Sequence, residues 1–375
     1  MVKLQKMVEN GDSILWEEMP EDLQEDILTW LPAQGLCRFR GTCKQWNSLC
    51  SSSCFITRQW AQESPNRNPC LVLSNENSVE IPWMTYCFFT QTWKAFISLS
   101  FLLSGYEWQE YRINCEGSAS GVFLVDVSPS SSEASFNTVF NPLTQTALIL
   151  PRMSSMTIIR ARGIVGVDGH TENDTYKVVA VGRSGPRNAM IVEIYDSYEK
   201  SWSVAGTLPH GLDLIGKMLC CAGFFYILIR IQQQKMLMSF CLKEGTSILT
   251  PLPQVADCRM LPQLVTCGSR ILIAAKVFES FNEGEVLKEV IVWELKESSW
   301  EEIVRMPPSI REDFKRKSTD TCLNCTGVKD YLFFRGGFQI VVYDLTKASW
   351  TWLPRCPIDA TTSMAFEPRP DMKIK

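Results

Sequence analysis

The sequence predicts a mainly β protein with a small α-helical domain in front of it. Three observations carry that reading. Composition shifts near residue 65, from apolar residues at helical spacing to short β-type runs broken by Gly, Pro and Ser. A pattern of an aromatic and an acid, then Trp, then Pro recurs without gaps in three places. The recurring aromatics are spaced evenly along the second part. The expected divisions are a flexible N-terminus over 1–15, a helical domain over 16–60, a linker over 61–68, a β domain over 69–366 and a tail over 367–375.

The helical domain is read from two short amphipathic stretches. Leu23, Ile27, Leu28 and Leu31 share one helix face, and Pro20 suits the first turn because a proline there loses no helical hydrogen bond. Six acids lie between Glu17 and Asp26, near an N-terminus whose dipole favours negative charge, and Pro32 ends the helix. In the second stretch Leu36, Phe39, Cys43, Trp46 and Leu49 recur at spacings of three and four. Helices this short bury little alone, so they must pack on each other and on a partner chain. Pro65, Asn66 and Asn68 mark the linker.

The pieces Met19-Pro20-Glu21-Asp22-Leu23, Ile27-Leu28-x-x-Leu31-Pro32, Leu36-x-x-Phe39-Arg40 and Cys43-Lys44-x-Trp46-x-x-Leu49 together resemble an F-box. Two positions depart from the family pattern, Met19 where Leu is usual and Thr42 where Val is usual, and both roughly keep the volume. The resemblance implies docking on a Skp-type adaptor and, through it, cullin and RING subunits. It implies that Met19, Pro20, Ile27, Leu28, Leu31, Pro32 and Leu36 supply apolar contact, with Cys43 and Trp46 shared between contact and internal packing. A two-helix cap that packs only on its own second domain is the competing reading.

In the β part, Tyr195-Asp196 is followed by Trp202 and Pro209, Trp293-Glu294 by Trp300 and Pro307, and Tyr343-Asp344 by Trp350 and Pro357. A weaker copy runs from Phe240 to Pro253 and a degenerate one from Phe140-Asn141-Pro142 to Pro151. The aromatics at 140, 195, 240, 293 and 343 are separated by 55, 45, 53 and 50 residues. Propeller blades of the kelch type repeat at about 50 residues, so residues 69–366 hold six. Each unit reads as an antiparallel meander, with turns expected at Ala222-Gly223, Cys267-Gly268 and Thr326-Gly327. Leu71-Val72-Leu73 and Ser363-Met364-Ala365-Phe366 are β-runs that can share one blade and close the ring, hiding sheet edges. Trp202, Trp300 and Trp350 are expected to pack between blades.

Gly336-Gly337 followed by Tyr343-Asp344 and Trp350 resembles a full kelch repeat, and the other copies lack the double Gly. With Phe140-Asn141-Pro142 and Tyr176-Lys177-Val178-Val179, the β part resembles the divergent kelch or F-box-associated propellers of plant F-box proteins.

Antiparallel order places the second-to-third turns and the inter-blade connections on one face. The longer loops are expected there, over 182–189, 232–235, 276–289 and 308–319. Long loops on a rigid scaffold are where recognition concentrates. Substrate contacts are therefore expected at Arg183, Arg187, Arg311, Lys315 and Arg316, with Lys317 in the same loop as the last three and Glu279, Glu283 and Glu285 in another. The plain alternative is that charged loop tips are only solvated. The first strands read as apolar and small, which disfavours a ligand in the central channel.

Charge and motifs narrow the chemistry. The 37 Lys and Arg against 41 Asp and Glu give a net charge of -4, without the strong bias of a nucleic-acid binder or a disordered chain. The longest apolar run, Leu219 to Ile229, has 11 residues, short of the roughly 20 that span a bilayer. The first residues lack the apolar centre of a secretory signal, so a cytoplasmic or nuclear protein with reduced thiols is expected. Of the 15 Cys, only Cys322 and Cys325 form a close pair, and the two His, His170 and His210, do not complete a zinc set, so no metal is expected. No phosphate loop, nucleophile elbow or His-Glu-x-x-His is present, so neither catalytic residues nor a cofactor are expected. The function expected is a substrate receptor of an SCF-type ubiquitin ligase that binds a protein substrate. The alternative is a stand-alone interaction or small-ligand-sensing propeller.

Overall fold

The computed structural model describes residues 19–29, 42–50, 52, 55, 70–76, 80–88, 91–103, 111–129, 135–153, 155–167, 175–185, 189–253, 262–281, 284–317, 323–369, 372 and 374. The chain divides into two compact units, Met1–Asn68 with Pro368–Asp371, and Pro69–Glu367 with Met372–Lys375.

The first unit contains helices α1 (Glu21–Thr29) and α2 (Lys44–Cys50). Pro20 stands just before α1, where its carbonyl accepts the amides of Leu23 and Gln24 at 3.0 Å and its missing N–H costs nothing. Cys43 does the same for α2, its carbonyl accepting the Asn47 amide. Leu28, Leu49, Cys50 and Phe55 are buried together with Trp46 against them. The inward face of α1 differs from the expected stripe. Gln24 and Leu28, one turn apart, are buried, whereas Ile27 is 44% exposed. Gln24 tolerates burial because its amide donates to the Met19 carbonyl at 2.9 Å.

The second unit is a six-bladed propeller of four-stranded antiparallel sheets. From the axis outward, blade 2 comprises Tyr111–Ala119, Val122–Pro129, Phe136–Asn141 and Thr146–Ile149. Blade 3 comprises Ile158–Val167, Thr175–Ser184, Ala189–Asp196 and Ser201–Thr207. Blade 4 is Asp213–Cys221, Phe224–Ile231, Gln234–Cys241 and Ser247–Pro251. Blade 5 is Gln263–Cys267, Arg270–Phe281, Gly284–Lys296 and Ser299–Arg305. Blade 6 is Asn324–Val328, Tyr331–Gly336, Gln339–Asp344 and Ser349–Trp352.

Blade 1 closes the ring as expected. The late strand Thr362–Phe366 takes the inner position and pairs with Cys70–Ser74, in the register Leu71 to Ala365, Val72 to Met364 and Leu73 to Ser363. Trp83–Cys87 and Thr92–Ile97 follow outward. Chain ends locked into one sheet leave no inner edge open.

The repeated acid has a local purpose. Asp196 Oδ1 accepts the Tyr198 amide, Asp344 Oδ1 the amides of Thr346 and Lys347, and Asn141 Oδ1 that of Leu143, all at 2.9 Å. The side chain thereby holds the turn into the fourth strand. Burial alone raises the Asp196 carboxyl, but the Tyr198 and Glu199 amides and the Lys177 ammonium outweigh it and hold it below the usual range.

Blades meet through apolar faces such as Leu272, Ala274, Val290 and Val292 packed with Leu332, Phe334 and Val341 between blades 5 and 6. One expected turn is corrected. Gly327 lies inside the inner strand of blade 6, and the turn falls at Lys329-Asp330. A Cβ on Gly327 would stand 2.1 Å from the Thr266 carbonyl oxygen, so glycine there serves the close approach of two inner strands.

Candidate functional site

On the helical unit the exposed side chains include Pro20, Ile27 and Cys43, with Met19, Leu23 and Trp46 half-buried. Ile27 and Pro20 are apolar side chains that the unit's own core does not use. Leu28, at 1% exposure, packs within the unit's own core beside Leu49, Cys50 and Phe55. Leu31, Pro32 and Leu36 lie outside the described residues.

On the propeller, the face formed by second-to-third turns and inter-blade connections is built differently from the expected loops. Residues 308–317 form helix α3 (Pro308–Lys317), with Pro308 in its first turn. Phe314 is fully buried and Ile310 packs beside it on the core between blades 5 and 6. Arg311 is not free: its guanidinium donates to the Lys288 carbonyl and lies 3.5 Å from Glu312. Arg316 is held by Asp313. Lys315 is exposed, and the Lys317 ammonium stands 4.0 Å from the Trp352 ring centroid. Arg355, in the next connection, stacks over Phe338 at 4.7 Å.

The span 276–289 is a long hairpin rather than a loop. Its strands pair out to Phe281 and Gly284, and Lys276 is buried over the Phe314 ring at 5.7 Å. Glu279 and Glu285 stand in paired strands; the side chains of Glu279, Glu283 and Glu285 lie outside the described residues. Arg183 ends the second strand of blade 3, half-buried, and Arg187 lies outside the described residues. Blades 4 and 5 lie between Arg183 on blade 3 and α3 at the junction of blades 5 and 6, so the expected basic residues share a face without forming one cluster.

The channel departs most from expectation. Three successive inner strands carry register breaks, at Cys115/Gly117, Ile159/Ala161 and Ile215/Leu219. A bulge re-aims a side chain that strict alternation would place elsewhere. The break in blade 4 contains Gly216 at φ +86°, a backbone that L side chains rarely adopt. Beside it, Lys217 donates to the Cys115 carbonyl of blade 2 at 3.1 Å and stands 3.8 Å from Glu76 of blade 1, across the ring from its own blade. Arg162 lies 3.5 Å from Glu116 and 3.2 Å from Asp126. Burial pushes the Glu116 carboxyl up, against the pull of Arg162 and Lys217, with Asp126 and Glu76 adding to the rise. The expected small, apolar channel is therefore a charged one.

Known proteins can now be set beside this geometry. Residues 16–58 match the F-box domain. F-box only protein 6 of Arabidopsis thaliana is 24% identical over 366 residues, which cover 93% of this chain and 72% of that protein. An F-box/kelch-repeat protein of the same plant is 23% identical over 396 residues, covering 94% and 89%. Among solved structures, TolB from Acinetobacter baumannii superposes with a TM-score of 0.50 at 9% identity, covering 84% of this chain and 70% of that one. At that identity the likeness concerns the fold alone.

The F-box match spans both short helices, so Ile27 and Pro20 are exposed apolar residues of an F-box. Sequence reasoning placed Lys317 on this face without its aromatic partner and missed Arg355, because the distinguishing contact of each is a ring far away in sequence. It missed α3 although Ile310 and Phe314 stand one helical turn apart behind Pro308. Of the two histidines, His210 is exposed between blades 3 and 4, and His170 lies outside the described residues. Among the described residues no group of three or more His, Cys, Asp or Glu is placed to hold a metal ion, and no helix is long and apolar enough to cross a membrane. Cys325 is buried in the core between blades 5 and 6, whereas Cys322 lies outside the described residues.

Proposed function

We propose that the chain is the substrate-recognition subunit of an SCF-type ubiquitin ligase. Its F-box docks on a Skp-type adaptor, which brings the cullin and RING subunits, and its propeller holds a protein substrate. The observation that carries the reading is the F-box match over residues 16–58 in one chain with a six-bladed propeller. Exposed Ile27 and Pro20 support the docking role, since each offers apolar area to a partner. The chain contributes no reacting group. It raises the effective concentration of substrate near the ubiquitin-charged enzyme, which is how a tether converts a bimolecular encounter into an intramolecular one. Such a receptor works in the cytoplasm or nucleus, needs no cofactor, and binds neither membrane nor nucleic acid.

Co-expression with a Skp-type adaptor followed by size-exclusion chromatography tests this. The wild-type chain is expected to co-elute with the adaptor, and Ile27→Asp to elute alone with an unchanged melting temperature. If neither form binds the adaptor, the propeller acts as an independent binding module and the ligase reading is wrong.

A further inference from the structure

Among the described side chains, the face formed by second-to-third turns and inter-blade connections, which rims the channel mouth, carries several cations without carboxylate partners. Among the described residues, Arg112 and Arg160 on inner strands, Arg183 at its strand end, and Lys315 on α3 have no ion pair. Lys317 and Arg355 meet aromatic rings instead of carboxylates. Among the described residues, four acids there are paired: Glu76 faces Lys217, Asp213 faces Arg230, and Glu289 and Glu302 both face Arg305. Unpaired acids of this face include Glu80 and Asp359, and Glu279, Glu283 and Glu285 of the blade 5 hairpin share it, their side chains lying outside the described residues. The opposite face is mixed, with Glu199, Glu297 and Asp330 set against Lys200 and Lys243. Within a chain of net charge -4, Lys315, Lys317 and Arg355 stand on the two connections that flank blade 6, and this gathers positive charge locally.

The blade 6 end of that face is preorganised as well as positive. Lys317 rests on Trp352 and Arg355 on Phe338, so both cations are held before any partner arrives and lose less side-chain freedom on binding. Guanidinium and ammonium groups without carboxylate partners match carboxylates and phosphates.

We propose that this face receives an anionic segment of a protein partner, rich in Asp and Glu or phosphorylated. Lys315, Lys317 and Arg355 grip one end of the segment, and Arg160 and Arg183 meet it across the channel mouth. This rests on the reading of the propeller as substrate-binding and names the chemistry of the substrate. It also moves the expected contacts, because Arg311 and Arg316 are engaged within their own helix and its neighbours.

The test uses the full chain and labelled short peptides followed by fluorescence anisotropy at low and high salt. One probe alternates Glu and Asp with Gly, a second carries phosphoserine in place of the acids, a third carries Gln and Asn, and single-stranded DNA of matched charge is the fourth. Binding of the acidic or the phosphorylated probe is expected, falling with salt, with the neutral probe unbound. The stronger of the first two identifies the source of the charge. The combined change Lys315→Glu, Lys317→Glu and Arg355→Glu is expected to weaken binding by about tenfold or more, and Lys200→Glu with Lys243→Glu on the opposite face to leave it unchanged. If the triple variant melts early, the corresponding Gln variant replaces it. Equal binding of the neutral probe, tighter binding of DNA, equal weakening by the opposite-face variant, or no binding of either anionic peptide overturns the proposal. Adaptor co-elution on the same preparations separates the two readings. Lost peptide binding with adaptor binding retained sinks this inference alone, and the reverse sinks the ligase reading alone.

Discussion

The indole nitrogen of Trp300 donates to the main-chain carbonyl of Pro251, 2.8 Å away on the preceding blade. Trp202 makes the same bond to Pro151 at 2.8 Å, and Trp93 to Pro354 at 2.9 Å. In each case a tryptophan on a fourth strand satisfies a carbonyl where the neighbouring blade's fourth strand ends. A proline cannot donate there, but its carbonyl still needs a partner. The ring packs between blades while its polar edge bonds across the seam, so one residue serves both packing and inter-blade registration.

Replacing Trp300 therefore separates two contributions. Trp300→Phe keeps most of the half-buried ring and removes one neutral hydrogen bond, at a cost of about 1 kcal/mol. Trp300→Ala removes the ring from its packing against blades 4 and 5 as well, and about 3 kcal/mol is expected. Urea unfolding of the two variants checks the order. Equal losses from both would mean that packing contributes nothing beyond the bond.

The same tryptophans show what was legible in the sequence. The spacing of seven from aromatic to Trp located blades 3, 5 and 6, because a fixed turn between two paired strands fixes that distance. Blade 1, legible from ring closure, also keeps the spacing from Tyr86 to Trp93, and the rings touch at 5.1 Å, but this copy of the pattern went unread. Cys87 stands where the acid is expected and Ser100 where the proline is, so only the sheet geometry remained. The channel was misread for a different reason. Alternation predicts which side chains face a given side only while the register holds, and three bulges shift Glu116, Arg160 and Lys217 out of that pattern. Ring closure was legible because both end segments are apolar β-runs with no other partner in sequence.

Gly327→Ala tests the close approach at the axis. The added methyl would meet the Thr266 carbonyl oxygen at 2.1 Å and its carbon at 3.0 Å, both main-chain atoms of blade 5 that cannot swing aside. A destabilisation of about 1–3 kcal/mol is expected, the range for overpacking. Thermal unfolding of the variant reads it. A melting temperature equal to wild type would show that blades 5 and 6 can part without cost.

The cysteines divide by burial. Burial pushes the Cys115 and Cys325 thiols far above their ordinary value and the Cys220 thiol up to about 12. Thiolate is the reactive form, so these three are expected to resist alkylation in the native protein. Cys43, exposed beside α2, is expected to label first. Peptide mapping after brief iodoacetamide treatment, with and without urea, checks both. Native labelling of Cys325 at the rate of Cys43 would mean that the core between blades 5 and 6 opens readily.

Arg270 and Glu294 give blade 5 a pH dependence with a definite sign. The guanidinium donates to both carboxylate oxygens at 2.6 and 2.8 Å. These bonds hold the Glu294 carboxyl below its ordinary value, against burial that raises it, with the charges of Arg270 and Lys296 helping. A group whose folded value lies below its unfolded value, about 4.3 for Glu, adds stability above the unfolded value. That stability is lost as pH falls through the folded value. Glu294→Gln keeps the shape and cannot titrate. Its deficit against wild type is expected to stay constant from neutral pH down to about 5 and to shrink steadily below about 4.3. Urea unfolding of both proteins across that range decides the matter. A deficit that does not change in acid would show that the carboxylate is not the partner that matters to Arg270.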